Sequence, residues 1–267
     1  MTPIPALVLA GSRLGEHDPV ARIAGVAHKV LAPVAGEAMV SRVLGALEAC
    51  PRIAGIVLVS DIGDELRRLP RVQRMERSGR LQLREAASSP SLSVAQVFAE
   101  FGAPLLVTTG DHALLDPPIL AEFLAGAERG GSDLAVGLVE ERVIAARVPS
   151  TRRTYLRFRD TAVSGANLFL LRTPAAAAAL GFWRRVEAER KRPWKLAAAF
   201  GPRLLLGFLL HGLTLERAFV LAGRRLGLAV APVLLSAAVA AIDVDRPEDL
   251  QLVRQLAAAR AQAEPVA

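Results

Sequence analysis

Runs of apolar residues at strand length recur along the chain, and most end in a glycine, a serine or a charged residue. Short apolar runs that stop in this way are typical of buried strands. Between several runs the apolar positions repeat at three- and four-residue spacing, which is typical of amphipathic helices. We predict strands at 6–9, 55–60, 81–84, 104–108, 134–138 and 165–171, and helices at 38–48, 93–101 and 117–129.

This alternation of strands and helices predicts an α/β fold, in which a mainly parallel sheet carries helices on both faces. Ligands of such sheets bind beyond the carboxyl ends of the strands. We therefore expect the polar residues that follow Leu9, Ser60 and Thr108 to gather at one edge of the sheet.

The segment 174–223 differs from the rest because it is rich in both arginine and leucine. Its pattern is helical, and Pro193 and Gly201-Pro202 divide it into shorter helices. We interpret it as a basic and apolar helical insertion within a single domain that spans 1–267. The uncharged stretch 226–242 that follows is too short and too broken for a membrane span, so we predict a buried connector and strand there.

Composition narrows the choice of partner. The chain has 267 residues, 52% of them hydrophobic, and a net charge of +7 that comes almost entirely from arginine. Its mean hydropathy is +0.34 and its isoelectric point is near 10.8. Such a charge favours anionic partners: phosphate substrates, a lipid surface or nucleic acid. Aromatic residues make up only 4% and no RNA-binding or zinc motif accompanies the basic residues, so we expect no nucleic-acid partner.

Two further features bear on location. Cys50 is the single cysteine, which excludes an internal disulfide or a cysteine metal cluster and fits a reducing compartment. The amino terminus runs into a strand without a basic leader, so we expect a cytoplasmic protein.

A glycine loop follows the first strand. Leu9, Ala10, Gly11 and Ser12 end that strand, and a glycine there lets backbone amides approach a polyanion closely. Arg13 and Lys29 add the positive charge that suits a triphosphate. We predict a second apolar strand directly after Lys29. The pattern predicts a nucleotide site, although an ordinary strand-to-helix turn explains the loop equally well.

Carboxylates mark a candidate magnesium site. Asp111 follows the apolar strand that ends at Gly110, next to the glycine loop, where hard oxygen ligands suit Mg²⁺. Asp243 and Asp245 alternate in an extended stretch, so we expect them to face the same side. The alternatives are that Asp111 caps the helix near Pro117 or is a turn residue, and that Asp245 caps the last helix with Glu248 as its capping-box partner.

Five motifs in this order resemble the MobA-like nucleotidyltransferases of the GT-A fold: LAGSRLG, HKVLAPVAGEAM, TTGDHALL, SGANLFLL and IDVDRPEDL. The resemblance covers roughly 4–172 and 230–255. It implies that a phosphate monoester attacks the α-phosphorus of an NTP, giving a nucleotide-linked product and pyrophosphate. The glycine loop of the family is usually longer, so the role given to Arg13 shifts to Arg22 in one alternative alignment.

The resemblance also assigns roles by position. Arg13 and Lys29 would stabilise the departing pyrophosphate, and Asp111 with Asp243 or Asp245 would hold Mg²⁺. Nucleotide-binding positions would be Leu9, Ala10, Gly11, Ser12, Ser93 and Gly110. The resemblance places Asn167 at the acceptor. From the residues themselves, we add Arg153, a basic residue near Tyr155 that suits an acceptor phosphate, and His112, which follows Asp111, as acceptor-binding residues. A helix N-cap remains the alternative for Ser93, and a turn asparagine the alternative for Asn167.

The function we predict is a Mg²⁺-dependent nucleotidyltransferase that couples an NTP, CTP or another, to a phosphorylated small alcohol or sugar, with lipid or envelope synthesis as one setting. The first alternative is a GT-A glycosyltransferase, but these usually carry DxD where this chain has Gly110-Asp111-His112. The second is a non-catalytic nucleotide-binding or membrane-associated protein. The basic residues within 183–210 are either a solvated helix face or a surface for peripheral membrane contact. The sequence leaves the NTP base, the acceptor and the oligomeric state open.

Overall fold

The computed structural model describes residues 3–12, 15–151, 153–189 and 212–263. Of the predicted features, Arg13 and the part of the basic segment from 190 to 211 lie outside the described residues. The strands are β1 (Ile4–Leu9), β2 (Pro33–Val34), β3 (Glu37–Ala38), β4 (Ile53–Ser60), β5 (Leu81–Glu85), β6 (Leu105–Thr109), β7 (Leu134–Glu140), β8 (Leu156–Arg157), β9 (Ala162–Leu171) and β10 (Val230–Leu234). The helices are α1 (Pro19–Ala24), α2 (Met39–Glu48), α3 (Gly63–Arg67), α4 (Pro70–Arg77), α5 (Pro90–Phe101), α6 (Pro117–Gly130), α7 (Glu141–Arg147), α8 (Ala177–Glu189), α9 (Leu215–Leu226) and α10 (Pro247–Ala263).

The main sheet is largely parallel. Its strand order is β10-β7-β9-β6-β1-β4-β5, and β8 pairs with β9 at the side of this path. β1 runs parallel to β4 and β6, whereas β9 runs antiparallel to β6 and β7. The predicted α/β fold with a mainly parallel sheet is therefore confirmed.

Helices cover both faces of this sheet, which explains why its strands are apolar throughout. Val8 of β1 belongs to a buried cluster with Leu44 of α2 and Phe123 of α6. The next residue back, Leu7, belongs to a second buried cluster with Phe98 of α5 and other residues of α5 and α8. Successive residues of β1 thus serve opposite faces, as the two-residue period of a strand requires.

The six strands and three helices predicted with explicit ranges are all present, with ends that differ by a few residues. The apolar strand expected after Lys29 is wrong. A 3₁₀ turn spans Lys29–Leu31, and β2 and β3 then form a short hairpin. Its two loop residues, Ala35 and Gly36, both have positive φ (48° and 83°), the geometry of a tight two-residue hairpin that no long strand can contain.

The uncharged stretch 226–242 contains the predicted strand, β10, and a 3₁₀ turn at Ala238–Ala241. Its burial is only partial, because β10 is an edge strand in which Val233 is buried and Leu234 is 45% exposed. Within the described part of the chain, no helix combines the length and the apolar character that crossing a membrane requires. β10 follows the segment 174–223 and joins the same sheet as β1.

Candidate functional site

Lys29 lies where three separate parts of the chain meet. It begins the 3₁₀ turn that His28 caps, since Nδ1 of the buried His28 ring accepts the Val30 amide at 3.3 Å. The Lys29 ammonium donates to Oδ2 of Asp111 at 2.6 Å and to Oδ1 of Asp245 at 3.1 Å. It also donates to the Val244 carbonyl at 3.2 Å. The predicted convergence of the glycine-loop region with both acidic motifs is therefore present.

These contacts stabilise the protonated, positively charged form of Lys29. Burial alone would lower the pKa of Lys29, but the carboxylates of Asp111 and Asp245 outweigh burial and raise it above its usual value. The side chain is only 15% exposed. Lys29 is thus a fixed cation at the carboxyl edge of the sheet.

Close packing between the ends of β1 and β6 places Asp111. The Gly110 amide donates to the Leu9 carbonyl at 2.8 Å. A Cβ on Gly110 would lie 3.1 Å from the Ala10 Cβ, so this position favours glycine. The Asp111 carbonyl in turn accepts the Val244 amide at 3.2 Å, which ties the third segment to the other two.

Several buried polar atoms at the end of β6 have no hydrogen-bond partner. They are Oγ1 of Thr108 and of Thr109 and Oδ1 of Asp111. A buried polar atom without a partner is costly, so such a cluster favours a bound cation or water. The free Asp111 oxygen is therefore a fit for Mg²⁺. In the described residues, no group of three or more His, Cys, Asp or Glu is arranged to hold a metal, so other ligands would have to come from solvent or substrate.

Asp243 makes contacts different from those of Asp245. Its Oδ1 accepts from the Arg153 guanidinium and its Oδ2 accepts from the Asn167 amide at 2.7 Å. Burial raises the pKa of Asp243, but the charge and hydrogen bond of Arg153, with Asn167, outweigh burial and lower it. Both oxygens are engaged, whereas the side chain of Asp245 is 65% exposed. The two aspartates therefore do not act as one pair.

Asn167 owes its position to a break in the β7–β9 ladder, not to a turn, so the turn alternative is wrong. Pairing is irregular between Val136 and Leu138, and Asn167 has a φ of 48° inside β9. A Cβ on Gly137, opposite the irregularity, would lie 3.1 Å from the Leu168 Cβ. A bulge of this kind re-aims a side chain, here toward Asp243.

Two expected acceptor contacts need correction. Arg153 is occupied by Asp243 and lies 3.8 Å from Asp249, with a side chain only 11% exposed. His112 is 1% exposed, so its ring lies beneath the site and a bound acceptor cannot reach it in this conformation. Burial lowers the pKa of His112 against the opposing charges of Asp243 and Asp111.

A cavity of about 920 Å³ opens beside the glycine loop. Leu9, Gly11 and Ser12 line one side and residues 86–93 line another. Ser93 faces this cavity from inside α5, and its hydroxyl accepts the Ala87 amide at 3.0 Å. The N-cap alternative for Ser93 is wrong, because Ser89 caps α5 by accepting the Leu92 amide.

The helix-capping alternatives for the acidic motifs are also wrong. Asp116, not Asp111, caps α6 through the Ile119 amide at 2.9 Å. At α10, Asp249 accepts the amides of Asp245 and Arg246, so neither Glu248 nor the side chain of Asp245 forms the capping pair.

Three cavity residues were missed by sequence reasoning. Asp61 follows β4 directly, and its Oδ1 accepts the Ser12 amide at 3.3 Å. It is one of the polar residues expected at this edge, so the signal was present in the sequence. Arg184 and Glu187 reach the cavity from α8, and only the packing of α8 on α5 reveals them.

Known proteins share both sequence and fold with this chain. A family model described as the MobA-like NTP transferase domain matches residues 6–200. Among curated proteins no significant match is found. A hypothetical transferase from Thermus thermophilus is 32% identical, with 94% of this chain and 100% of that chain covered and a TM-score of 0.77.

More distant structures share the fold. A 2-C-methyl-D-erythritol 4-phosphate cytidylyltransferase, also from Thermus thermophilus, is 17% identical, with 97% of this chain and 100% of that chain covered and a TM-score of 0.51. A CMP:2-keto-3-deoxy-manno-octonic acid synthetase complexed with CTP is 14% identical, with the same coverage of 97% and 100% and a TM-score of 0.54.

Proposed function

Because the chain belongs to the MobA-like NTP transferase domain family, we propose that it transfers a nucleotidyl group from an NTP to a phosphomonoester acceptor. An oxygen of the acceptor phosphate forms a bond to the α-phosphorus, and the bond from that phosphorus to the bridging oxygen breaks. Pyrophosphate leaves with the electron pair. The contact that carries the proposal is the Lys29 ammonium, held by Asp111 and Asp245 beside the glycine loop.

This reaction needs positioning and charge more than a nucleophilic side chain. Lys29 supplies a permanent positive charge where negative charge would develop on the leaving pyrophosphate. The backbone amides of Gly11 and Ser12 would donate hydrogen bonds to the phosphate oxygens, and the absence of a side chain at Gly11 would let the phosphates approach closely. Arg13, which follows Ser12 in the sequence, is proposed to assist Lys29.

Mg²⁺ is proposed as the cofactor, with Asp111 and Asp245 as its protein ligands. Support comes from the unpartnered buried Oδ1 of Asp111 and from the exposure of Asp245. Asp243 is a weaker candidate because Arg153 and Asn167 already engage both of its oxygens. When bound, the ion would neutralise charge on the phosphate oxygens.

Asn167 and Asp243 are proposed to border the acceptor, with Arg153 holding Asp243 rather than gripping the acceptor phosphate. Asn167 suits this role because the β9 bulge holds its amide beside the metal-binding segment. We propose a phosphorylated sugar or small alcohol as the acceptor, and an assay of pyrophosphate release distinguishes the two.

The decisive experiment follows pyrophosphate release with CTP, UTP, GTP and ATP against a panel of phosphomonoesters, with and without MgCl₂. We expect one NTP and one acceptor class to give Mg²⁺-dependent release. Consumption of sugar nucleotides with no response to NTPs would instead establish the glycosyltransferase alternative. Binding of an NTP without release in any combination would favour a non-catalytic protein.

We further propose that the protein is cytoplasmic and contacts a membrane peripherally through 183–210. In this setting it would serve lipid or envelope synthesis. Most of that segment lies outside the described residues, so its support is the basic and leucine-rich sequence. Co-sedimentation with anionic liposomes tests it. Equal sedimentation of the wild type and a variant with Arg190 and Lys191 replaced by alanine would refute the contact.

A further inference from the structure

Helix α8 forms one wall of the cavity beside the glycine loop. Arg184 and Glu187 lie three residues apart on α8, and both line the cavity that Gly11 and Ser12 border. Residues three apart share a face of a helix, so one polar face of α8 points into the cavity. Leu180 of the same helix is 7% exposed and belongs to the buried cluster of α5 and β1. Packing therefore fixes α8 against the nucleotide-binding half of the sheet.

Glu187 connects α8 to the opposite lining of the cavity. Its Oε2 accepts from the Ser91 hydroxyl at 2.5 Å and faces the Ser91 amide at 3.4 Å. Ser91 is fully buried in the first turn of α5. Amides in the first turn have no partner within the helix, and the helix dipole favours a carboxylate there. Glu187 thus braces the segment 86–93 from outside α5.

Arg184 brings positive charge to the described lining of this cavity. Among the described residues that line the cavity, Arg184 alone is basic, whereas Asp61 and Glu187 are acidic. An NTP is strongly anionic, so its entry beside two carboxylates requires a nearby cation. A guanidinium forms charge-assisted hydrogen bonds with phosphate oxygens.

We propose that α8 is part of the nucleotide site, with Arg184 contacting the phosphates of the bound NTP and Glu187 acting as a positioning residue through Ser91. The inference rests on the proposed function, because it names the nucleotide as the occupant of the cavity. It adds two residues of the segment 174–223 to the site, whereas the sequence motifs assign only residues outside that segment.

The test measures the Kd of CTP, UTP, GTP and ATP by titration calorimetry with MgCl₂, and the steady-state KM of the NTP that is used. Arg184→Ala should raise Kd and KM for that NTP about tenfold, leave kcat within about twofold, and leave the KM of the phosphomonoester unchanged. Arg184→Lys should restore part of the loss. Arg185→Ala is the matched control, because Arg185 is the next residue and lies over the Phe182 ring, 5.9 Å from its centroid. Equal effects of Arg184→Ala and Arg185→Ala would overturn the role of Arg184.

A double-mutant cycle tests the positioning role. Glu187→Ala and Ser91→Ala should each weaken NTP binding several-fold, and the double variant should be no weaker than either single one. Glu187→Gln keeps an acceptor oxygen and should recover most of the affinity. Additive losses, or a fall in melting temperature with no change in the Kd of the NTP, would overturn it.

The outcomes separate the two proposals. If the wild type binds an NTP but the α8 variants bind it equally well, the role of α8 is wrong and the proposed function stands. If an NTP binds and the variants weaken it, but no phosphomonoester gives pyrophosphate, the role of α8 stands and the proposed transfer is wrong. Absence of binding by all four NTPs would overturn both.

Discussion

The ammonium of Lys29 lies 2.6 Å from Oδ2 of Asp111, although 82 positions separate the two residues in the sequence. This contact joins the 3₁₀ turn after the glycine loop to the end of β6. It places a cation and a carboxylate at one point of the sheet edge, the combination that phosphoryl-type transfer requires.

Lys29→Met should lower kcat/KM for pyrophosphate release by about 10²–10³-fold, because one electrostatic contact to the transition state is then lost. Lys29→Arg keeps the charge and should retain more activity than Lys29→Met. Circular dichroism and thermal melting check that the variants fold, since removal of Lys29 leaves Asp111 without its cation. Activity of Lys29→Met within threefold of the wild type would contradict the role.

Asp111→Ala and Asp116→Ala should separate metal binding from helix capping. Asp111→Ala should abolish the Mg²⁺ response, with at least about a hundredfold loss of turnover. Asp116→Ala should keep that response and lose about 1–2 kcal/mol of unfolding free energy, because it removes the α6 cap and the 3.1 Å ion pair with Arg260. Titration of turnover against MgCl₂ and urea unfolding provide the measurements. An unchanged Mg²⁺ response in Asp111→Ala would refute the metal assignment.

The sequence predicted the sheet well because its strands are buried on both faces and so appear as apolar runs between polar ends. It also predicted that the stretches with Lys29, Asp111 and Asp245 meet in one crevice, but with the carboxylates on a bound ion opposite the cation, whereas in the structure both carboxylates contact Lys29 directly. It failed at the hairpin after Lys29, where apolar content gave no sign of the positive φ at Ala35.

Side-chain partners within the site were much harder to predict. The alternation of Asp243 and Asp245 suggested one pair, yet Arg153 captures the first and Lys29 the second. The position of Arg184 and Glu187 of α8 in the cavity wall was missed because it depends on the packing of helices that are distant in sequence. Such pairings depend on tertiary packing, which hydrophobic periodicity does not encode.

Asp243→Asn should destabilise the protein by about 2–3 kcal/mol at pH 7, because buried Arg153 then keeps only the more distant carboxylate of Asp249, 3.8 Å away. The pKa of Asp243 is lowered in the fold from an ordinary value of 3.8. Its stabilising contribution is therefore complete above that value and is lost as pH falls through the still lower folded pKa. Urea unfolding of both proteins at pH 7, 5 and 3 should show the difference shrink only at the lowest pH. Asp245→Asn, at a mostly exposed side chain, should change stability little. A pH-independent difference for Asp243→Asn would contradict the ion pair.

His28→Asn should reduce the loss of stability on acidification. Burial lowers the pKa of His28 from 6.5 despite the opposing charge of Asp61. The unfolded chain therefore binds a proton more readily, and the wild type loses up to about 1.4 kcal/mol per pH unit below 6.5 until the folded pKa is reached. An asparagine oxygen can replace Nδ1 as acceptor for the Val30 amide without titrating. Unfolding curves at pH 7.5 and 5.5 should give a smaller difference for the variant, with the remainder from the equally buried His112. Identical pH slopes would refute this account of His28.

The packing of α6 on β10 should make Gly126 intolerant of any side chain. A Cβ at this position would lie 2.5 Å from Cγ1 of Val233, and branched valine has little freedom to move away. We expect Gly126→Ala to cost about 1–3 kcal/mol of unfolding free energy despite the better helix propensity of alanine, because overpacking outweighs that gain. In a Val233→Ala background the methyl group has room, so the same substitution should be close to neutral or stabilising. Chemical unfolding of the four proteins of this cycle measures the coupling. Kinetic constants for the NTP should stay unchanged in all four proteins, because α6 and β10 do not line the cavity. An equal loss of unfolding free energy in both backgrounds would show that the close contact is relieved elsewhere.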